Sequence, residues 1–462
     1  MSEQRDGTAI GSFPRARADA GWMNDLRRER TAGPRTPHQQ SLEAPAGNST
    51  TAVHGGTYLD PTTRAVGTPI FQTSTFLLDE TSYDAFHEGV TRDVPIYTRY
   101  GNPSQWSVQE KLALLEGAES ALVTSSGMAA ISTTVLALTN PGGHVITAYD
   151  VYGGTYNLMR EDLHALGRDV SFVDAADPAA VAAAIRPETQ MLFVEGLTNP
   201  LLKAPPLAEL AALARQNDIL LVVDNTFLSP ACLRPIDLGA HLVVHSATKY
   251  LNGHSDLTAG VVAGPRKFVD RVWAQAMRLG GTLEPFSCFL LERGLKTLPL
   301  RMRAHHENAS GIAAFLAGHP AIGRVHHPSL PDYPYPHLRE SARGYGGVVS
   351  FEVAGGDAAA LRVLQALRLP RVATSLGGVE SLVSMPFNTS HSSLTQAQRT
   401  AVGIRPGLIR YSAGIEELAD LVDDLDAALA LLDEDPAPEA TTDSPDDEAR
   451  DGRQEETPCA TA

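Results

Sequence analysis

The chain is poor in cysteine, in lysine and in long apolar runs, and each shortage removes a class of protein. Three cysteines in 462 residues (Cys232, Cys288, Cys459) are too few and too scattered for a disulfide framework or a CxxC metal site, which fits a reducing compartment. No apolar stretch reaches membrane-spanning length, and the N-terminus lacks the apolar core of a secretory signal. The seven arginines up to Arg35 are offset by acids, which argues against a transit peptide, so a cytoplasmic soluble protein is expected. A formal net charge of −17 argues against a nucleic-acid surface. Neither GxGxxG nor a P-loop occurs, which counts against a nucleotide-binding oxidoreductase. His305 and His306 are adjacent, so they point different ways on a helix, and no HExxH or cysteine partner follows; a metal site is not expected there.

What is present suits a large folded core with tails. With 43% hydrophobic and 20% charged residues, the chain can form more than one domain. Residues 1–50 are rich in Gly, Pro, Ser, Thr and Arg without hydrophobic periodicity and read as a disordered extension, although Trp22 and Met23 could anchor a short helix. Residues 433–462 carry eleven acids and two arginines and read as an acidic disordered tail. Between them we expect an arm over 51–105, a main domain over 106–305 and a C-terminal domain over 306–432. From ALVT onward, short apolar runs alternate with helical stretches (HVITAYD, DVSFVD, QMLFVEG), which predicts a mostly parallel sheet with helices on both faces. The stretch from Pro265 to about His319 reads as strongly helical, with Pro299 kinking or restarting it as a hinge between domains. Beyond Gly346, FEV, a helix, RVATSLGGVESL, a helix near Gln396, LIRYSAGIE and a helix from Glu417 to about Leu432 predict a smaller α/β domain.

The richest stretch is LLVVDNTFLSPACLRPIDLGAHLVVHSATKYLNGHSD. Leu220 to Val223 and Leu242 to Val244 read as buried parallel strands that end abruptly in polar residues. Open α/β sheets hold ligands beyond the carboxyl ends of their strands, where this chain offers Asp224 with Thr226, then His245, Ser246, Thr248 and Lys249. A lysine there, with a neighbouring carboxylate and hydroxyls, suits pyridoxal phosphate (PLP): the amine for the Schiff base, the carboxylate for the pyridine nitrogen, the hydroxyls for the phosphate. Of only five lysines, Lys111, Lys203, Lys267 and Lys296 fall in stretches that read as helix surface or loop, and Lys249 alone follows a buried strand.

Other motifs admit two readings each. Ser126, Gly127 and Met128 sit at a strand-to-helix turn, where N–H groups and the helix dipole favour an anion, or where Gly merely permits a tight turn. Tyr97 and Arg99, two apart on an extended segment, would share a face and form a phosphate clamp, or be a surface pair on a loop. Tyr152, past Asp150, offers a ring to stack on the pyridine and a hydroxyl to move protons, or a packed loop aromatic. The Asn199 amide could hold the ring oxygen or a substrate carboxylate; alternatively Glu195 and Asn199 belong to a turn ending in Asn-Pro. Arg410, between apolar residues of a strand, needs a partner, either a substrate carboxylate or a protein carboxylate.

SATKYLNGHSD, with VDNTF upstream, resembles the cofactor-lysine signature of the Cys/Met-metabolism PLP enzymes. This is the trans-sulfuration family of cystathionine γ-synthase, cystathionine γ- and β-lyases and methionine γ-lyase. The likeness runs from about His54 to the helix after Glu416. It implies an aspartate-aminotransferase-like (type I) α/β fold, with a large mostly parallel sheet of the seven-stranded type and a smaller C-terminal α/β domain. It implies PLP on Lys249, with Tyr97, Arg99, Ser126, Gly127, Met128, Tyr152, Asp224, Thr226, Ser246 and Thr248 as cofactor-binding residues. It also implies substrate contacts from Glu195, Asn199, Ser375 (at the Ser375 to Gly378 turn) and Arg410. Tyr97 and Arg99 would reach the neighbouring subunit's PLP phosphate, implying an oligomer with shared sites, a dimer or tetramer.

The implied chemistry has freed Lys249 removing the α-proton and moving protons at the β-carbon, Asp224 keeping the ring protonated, and Tyr152 protonating the leaving group. It is γ-replacement or γ-elimination on homoserine-derived or sulfur amino acids. Gly154 stands where methionine γ-lyases generally carry cysteine, and Thr374 where cystathionine γ-synthases and γ-lyases generally carry glutamate. A synthase, a γ- or β-lyase, a methionine γ-lyase and an O-acylhomoserine sulfhydrylase therefore remain open. A non-catalytic relative would be expected to lose the lysine or its aspartate, and both stand.

Overall fold

Seven short strands rich in Val, Leu and Ile form the larger sheet of this computed structural model, which describes residues 47–388, 399–400 and 403–434. They are β1 (Ser120–Thr124), β2 (His144–Ala148), β3 (Asp169–Val173), β4 (Thr189–Glu195), β5 (Leu220–Asp224), β6 (Leu242–Ser246) and β7 (Gly260–Gly264). Their order is β1-β7-β6-β5-β4-β2-β3, and only β7 runs against its neighbours. Alternate residues feed two cores: Leu192, Val194, Leu221 and Val223 pack on one face, Met191, Phe193, Leu220 and Val222 on the other. Burial on both faces is why these runs are continuously apolar.

A second sheet joins β8 (Ile322–His326), β9 (Val348–Val353), β10 (Arg371–Val372), β11 (Leu382–Ser384) and β12 (Leu408–Ser412) in the order β10-β11-β12-β9-β8. Its pairings are antiparallel except β10 with β11. Strand β8 was not anticipated; Arg324 and His326 interrupt its apolar pattern because it lies at the sheet edge.

Three helices matter for the site: α1 (Pro103–Glu116), α2 (Gly127–Leu138) and α3 (Leu298–Ala317). The region expected to be strongly helical is three separate helices, Arg266–Leu279, Pro285–Leu295 and α3. Gly280 ends the first in the left-handed conformation (φ 86°), and the Glu284 carboxylate caps the second through the Phe286 and Ser287 N–H groups. Pro299 lies in the first turn of α3, where its missing N–H costs nothing, so it restarts the helix rather than kinking it. Leu298 and Met302 of α3 pack into the larger core, Ala309, Ile312 and Leu316 into the smaller one. The boundary expected between 305 and 306 falls inside this helix.

At the N-terminal side a helix spans Asn48–His54 with Thr51 and Ala52 buried, so the boundary expected at residue 50 falls within it. Helix Glu80–Glu88 also interrupts the arm that was expected to be extended. Lys111, expected at a helix surface, is fully buried in α1, because the Asn48–His54 helix covers it. Its Nζ donates to the carbonyls of Ala52 (3.0 Å) and Val53 (3.4 Å), the open end of that helix. Burial lowers its pKa to about 8. Residues 1–46, the tail from 435 and the helix expected near Gln396 lie outside the described residues. Among the described residues no helix is long and apolar enough to cross a membrane.

Candidate active site

The carboxyl ends of β2, β4, β5 and β6 open into one cavity of about 440 Å³, closed from the second sheet by Thr374, Ser375, Leu376 and Arg410. Lys249 follows β6 in a tight turn, with its N–H donating to the Ser246 carbonyl (3.2 Å). Its Nζ donates to Ser375 Oγ at 2.5 Å. Burial, and then the Arg410 guanidinium, lower the Lys249 pKa to about 8, so about a tenth of the amine is uncharged at pH 7, far more than for an ordinary lysine.

Asp224 ends β5 and accepts Thr226 N–H (3.0 Å) and Thr226 O–H (2.5 Å) on one oxygen. Burial raises its pKa; the two Thr226 bonds and the positive potential of His245 oppose the rise. His245 lies behind, its Nε2 2.5 Å from Glu116 Oε1 of α1, both fully buried. Thr226 Oγ also accepts Ser246 N–H (2.8 Å), so this hydroxyl is engaged in fixing two strand ends. Thr248 Oγ is similarly tied, accepting Ala259 N–H at 3.0 Å.

Across the cavity floor, Ser126 caps α2 by accepting Ala129 N–H (3.1 Å), which leaves the N–H groups of Gly127 and Met128 in the first turn without intrahelical acceptors. The turn is packed hard on β6: a Cβ added at Gly127 would stand 2.8 Å from Ser246 Cβ. Close packing on β6, which neither reading of this glycine named, is what its missing side chain permits.

Glu195 is in register with Asp224 on the neighbouring strand and accepts the Tyr152 N–H at 2.6 Å. Burial, then the negative charge of Asp224, push it well above the usual carboxylate range. Tyr152 is half exposed beside the cavity, and a Cβ at Gly154 would stand 2.7 Å from its ring and 3.2 Å from Met128 Sδ. Lys203 meets Asp150 at 3.2 Å and ties the loop after β4 to the loop carrying Tyr152.

Arg410, buried in β12, donates through Nη2 to the Ser375 carbonyl (2.7 Å) and through Nη1 to Asn199 Oδ1 (3.3 Å), while its Nε has no partner. Among the described residues no carboxylate forms an ion pair with it, so the protein-carboxylate reading fails. Burial lowers its pKa to about 10. Ser375 stands at φ +82°, a left-handed conformation that a non-glycine residue rarely adopts, and is held there from both sides by Lys249 and Arg410.

Tyr97 and Arg99 do not line this cavity. Residues 97–100 form a turn, closed by Tyr100 N–H to Tyr97 O at 2.8 Å, so the extended-segment expectation is corrected. The guanidinium lies over both Tyr97 (5.6 Å) and Tyr100 (5.1 Å), and its Nη1 donates to the Met277 carbonyl at 2.7 Å. Leu197, Phe227 and Thr258 line the cavity without having been singled out. Their positions depend on how loops fold back over the strand ends, which carries no local pattern.

The donor set fits PLP: an amine of lowered pKa, a carboxylate oriented from behind, and a helix N-terminus beside the hydroxyl of Ser246. Residues 49–430 match the family model described as Cys/Met metabolism PLP-dependent enzyme. Cystathionine gamma-lyase of Bacillus subtilis is 41% identical over 82% of this chain and 98% of its own. L-methionine gamma-lyase of Porphyromonas gingivalis is 38% identical over 84% and 98%. The crystal structure of cystathionine gamma synthase from Xanthomonas oryzae pv. oryzae, in complex with aminoacrylate and cysteine, superposes with a TM-score of 0.80 at 38% identity, covering 85% of this chain and 100% of that one. Fold, cofactor-fitting cavity and likeness across the chain agree, and the protein belongs to the Cys/Met metabolism PLP-dependent enzymes.

Proposed function

We propose that this chain catalyses γ-replacement or γ-elimination on homoserine-derived or sulfur amino acids, forming or cleaving a C–S bond. One observation carries the reading: a buried arginine without a carboxylate partner shares a cavity with a buried lysine of lowered pKa. Arg410 and Asn199 bind the substrate α-carboxylate, and the Ser375 turn positions it. Bound PLP supplies an electron sink that acidifies the substrate Cα–H. Lys249 holds the cofactor at rest, removes the α-proton when freed, and moves protons at the β-carbon. Asp224 keeps the pyridine nitrogen protonated, while Ser126, Gly127, Met128 and Ser246 receive the phosphate. Tyr152, at the cavity wall, would face the bound ring and supply a proton to the leaving group.

Tyr97 and Arg99 lie outside the chain's own cavity, and the arm that carries them leaves Val66 93% and Leu77 98% exposed, which supports an oligomer in which they complete the neighbour's phosphate site. A tetramer built from such dimers, in the cytoplasm, is the assembly we propose.

L-Cystathionine tests the reaction. Rapid 2-oxobutyrate marks a γ-lyase and pyruvate marks β-cleavage; neither, with a cofactor spectrum that responds to O-acylhomoserine, marks a γ-replacement enzyme. The last outcome is favoured by Thr374, a neutral hydroxyl at the cavity where an acid would be needed to hold a distal ammonium group. No keto acid and no spectral response to either compound would refute the proposal.

A further inference from the structure

We propose that Glu195 is held as a neutral carboxylic acid near neutral pH, so that the pair Glu195 and Asp224 carries one negative charge, on Asp224, and Glu195 is a positioning residue for Tyr152. The pair ends adjacent parallel strands in register, 6% and 8% exposed. Two carboxylates so placed resist double ionisation, and the better-supplied one keeps the charge. Donors are divided unevenly. Asp224 receives an O–H and an N–H from Thr226, with the His245 potential behind it. Glu195 accepts the Tyr152 N–H, with the Asn199 backbone N–H beside it and no side-chain donor, and its Oε2 is buried without a partner among the described residues.

The groups facing Glu195 add no cation. Asp224 on β5 and Asp150 after β2 are both acidic, and Asn199 contributes backbone N–H. Lys203 is committed to Asp150 (3.2 Å), Lys249 to Ser375 (2.5 Å), and Arg410 to Ser375 (2.7 Å) and Asn199 (3.3 Å). A neutral Glu195 still accepts the Tyr152 N–H, and its partnerless Oε2 then carries no unsolvated charge. It also leaves the cavity without a second negative charge to repel a substrate carboxylate drawn to Arg410. The substrate contact expected of Glu195 is thereby narrowed to that of a neutral acid. This inference deepens the proposed reading and rests on it for the role of Asp224.

Infrared spectroscopy of the PLP-loaded holoenzyme near neutral pH tests it. A carbonyl band of a protonated carboxyl group is expected, shifted by carbon-13 glutamate labelling and missing in Glu195→Gln. Glu195→Ala is expected to lose kcat by about tenfold or more as Tyr152 loses its anchor, and Glu195→Gln to recover most of that loss. A spectrum with no such band, a band insensitive to glutamate labelling, or a Gln variant as damaged as the Ala variant would overturn the proposal. The labelled wild-type protein decides the question even if a variant does not fold. Borohydride fixation of PLP on Lys249 in the same samples scores the cofactor reading separately.

Discussion

At the residue scale, the site is built on groups whose charge is costly where they stand. Arg410 has lost bulk water and gained only neutral oxygens, so an anion in the cavity is its best available partner. Replacing it by Ala should raise KM about 10- to 100-fold, the worth of a hydrogen bond to a charged group, with a smaller effect on kcat. Arg410→Lys should lose most of the same binding, because an ammonium cannot reproduce the fork. Lys249 yields a pH prediction. Its amine is the nucleophile only when uncharged, so PLP uptake by the apoprotein should accelerate as pH rises and level off above about 8. Arg410→Met, which removes a neighbouring positive charge, should move that midpoint to higher pH. The linkage has the matching sign: the folded value of about 8 lies below the ordinary 10.5, so the folded state binds fewer protons between them, and this group's contribution to stability grows more favourable as pH rises through that window.

At the element scale, two junctions carry the geometry. The first turn of α2 meets the end of β6 so closely that Gly127→Ala would drive Cβ into Ser246, and we expect at least about tenfold weaker PLP retention, measured by equilibrium dialysis, with the fold retained. The Asn48–His54 helix is held by Lys111; Lys111→Met should leave two carbonyls unpaired, cost about 1.5–3 kcal/mol, and expose the arm to protease earlier in a thermal ramp. The central strands of the larger sheet were legible because they are buried on both faces and β5 and β6 stop in polar residues, which is why Asp224 and Lys249 could be placed from the sequence. What was not legible depends on distance in the chain. Lys111 lies 59 residues from Ala52 and reads as a surface lysine until that helix covers it. The charge of Glu195 depends on Asp224 of another strand, and the turn at Tyr97 replaced an extended segment whose spacing alone suggested a shared face.

At the scale of the whole molecule, the assembly we propose would tie catalysis to oligomerisation through the arm. On the proposed shared-site assembly Arg99 and Lys249 serve different sites, so mixing Lys249→Ala subunits with Arg99→Ala subunits, each poorly active alone, should restore activity as hybrid dimers form with one intact site. Failure to recover activity, with hybrids demonstrated by native mass spectrometry, would remove the shared-site reading. The central claim is nearer to hand, because five lysines make the assignment clean. Borohydride reduction of the PLP-loaded protein, followed by peptide mapping, should fix the cofactor on the peptide containing Lys249 and nowhere in Lys249→Ala. A label on Lys111, Lys203, Lys267 or Lys296 instead, or no label at all, would contradict the account.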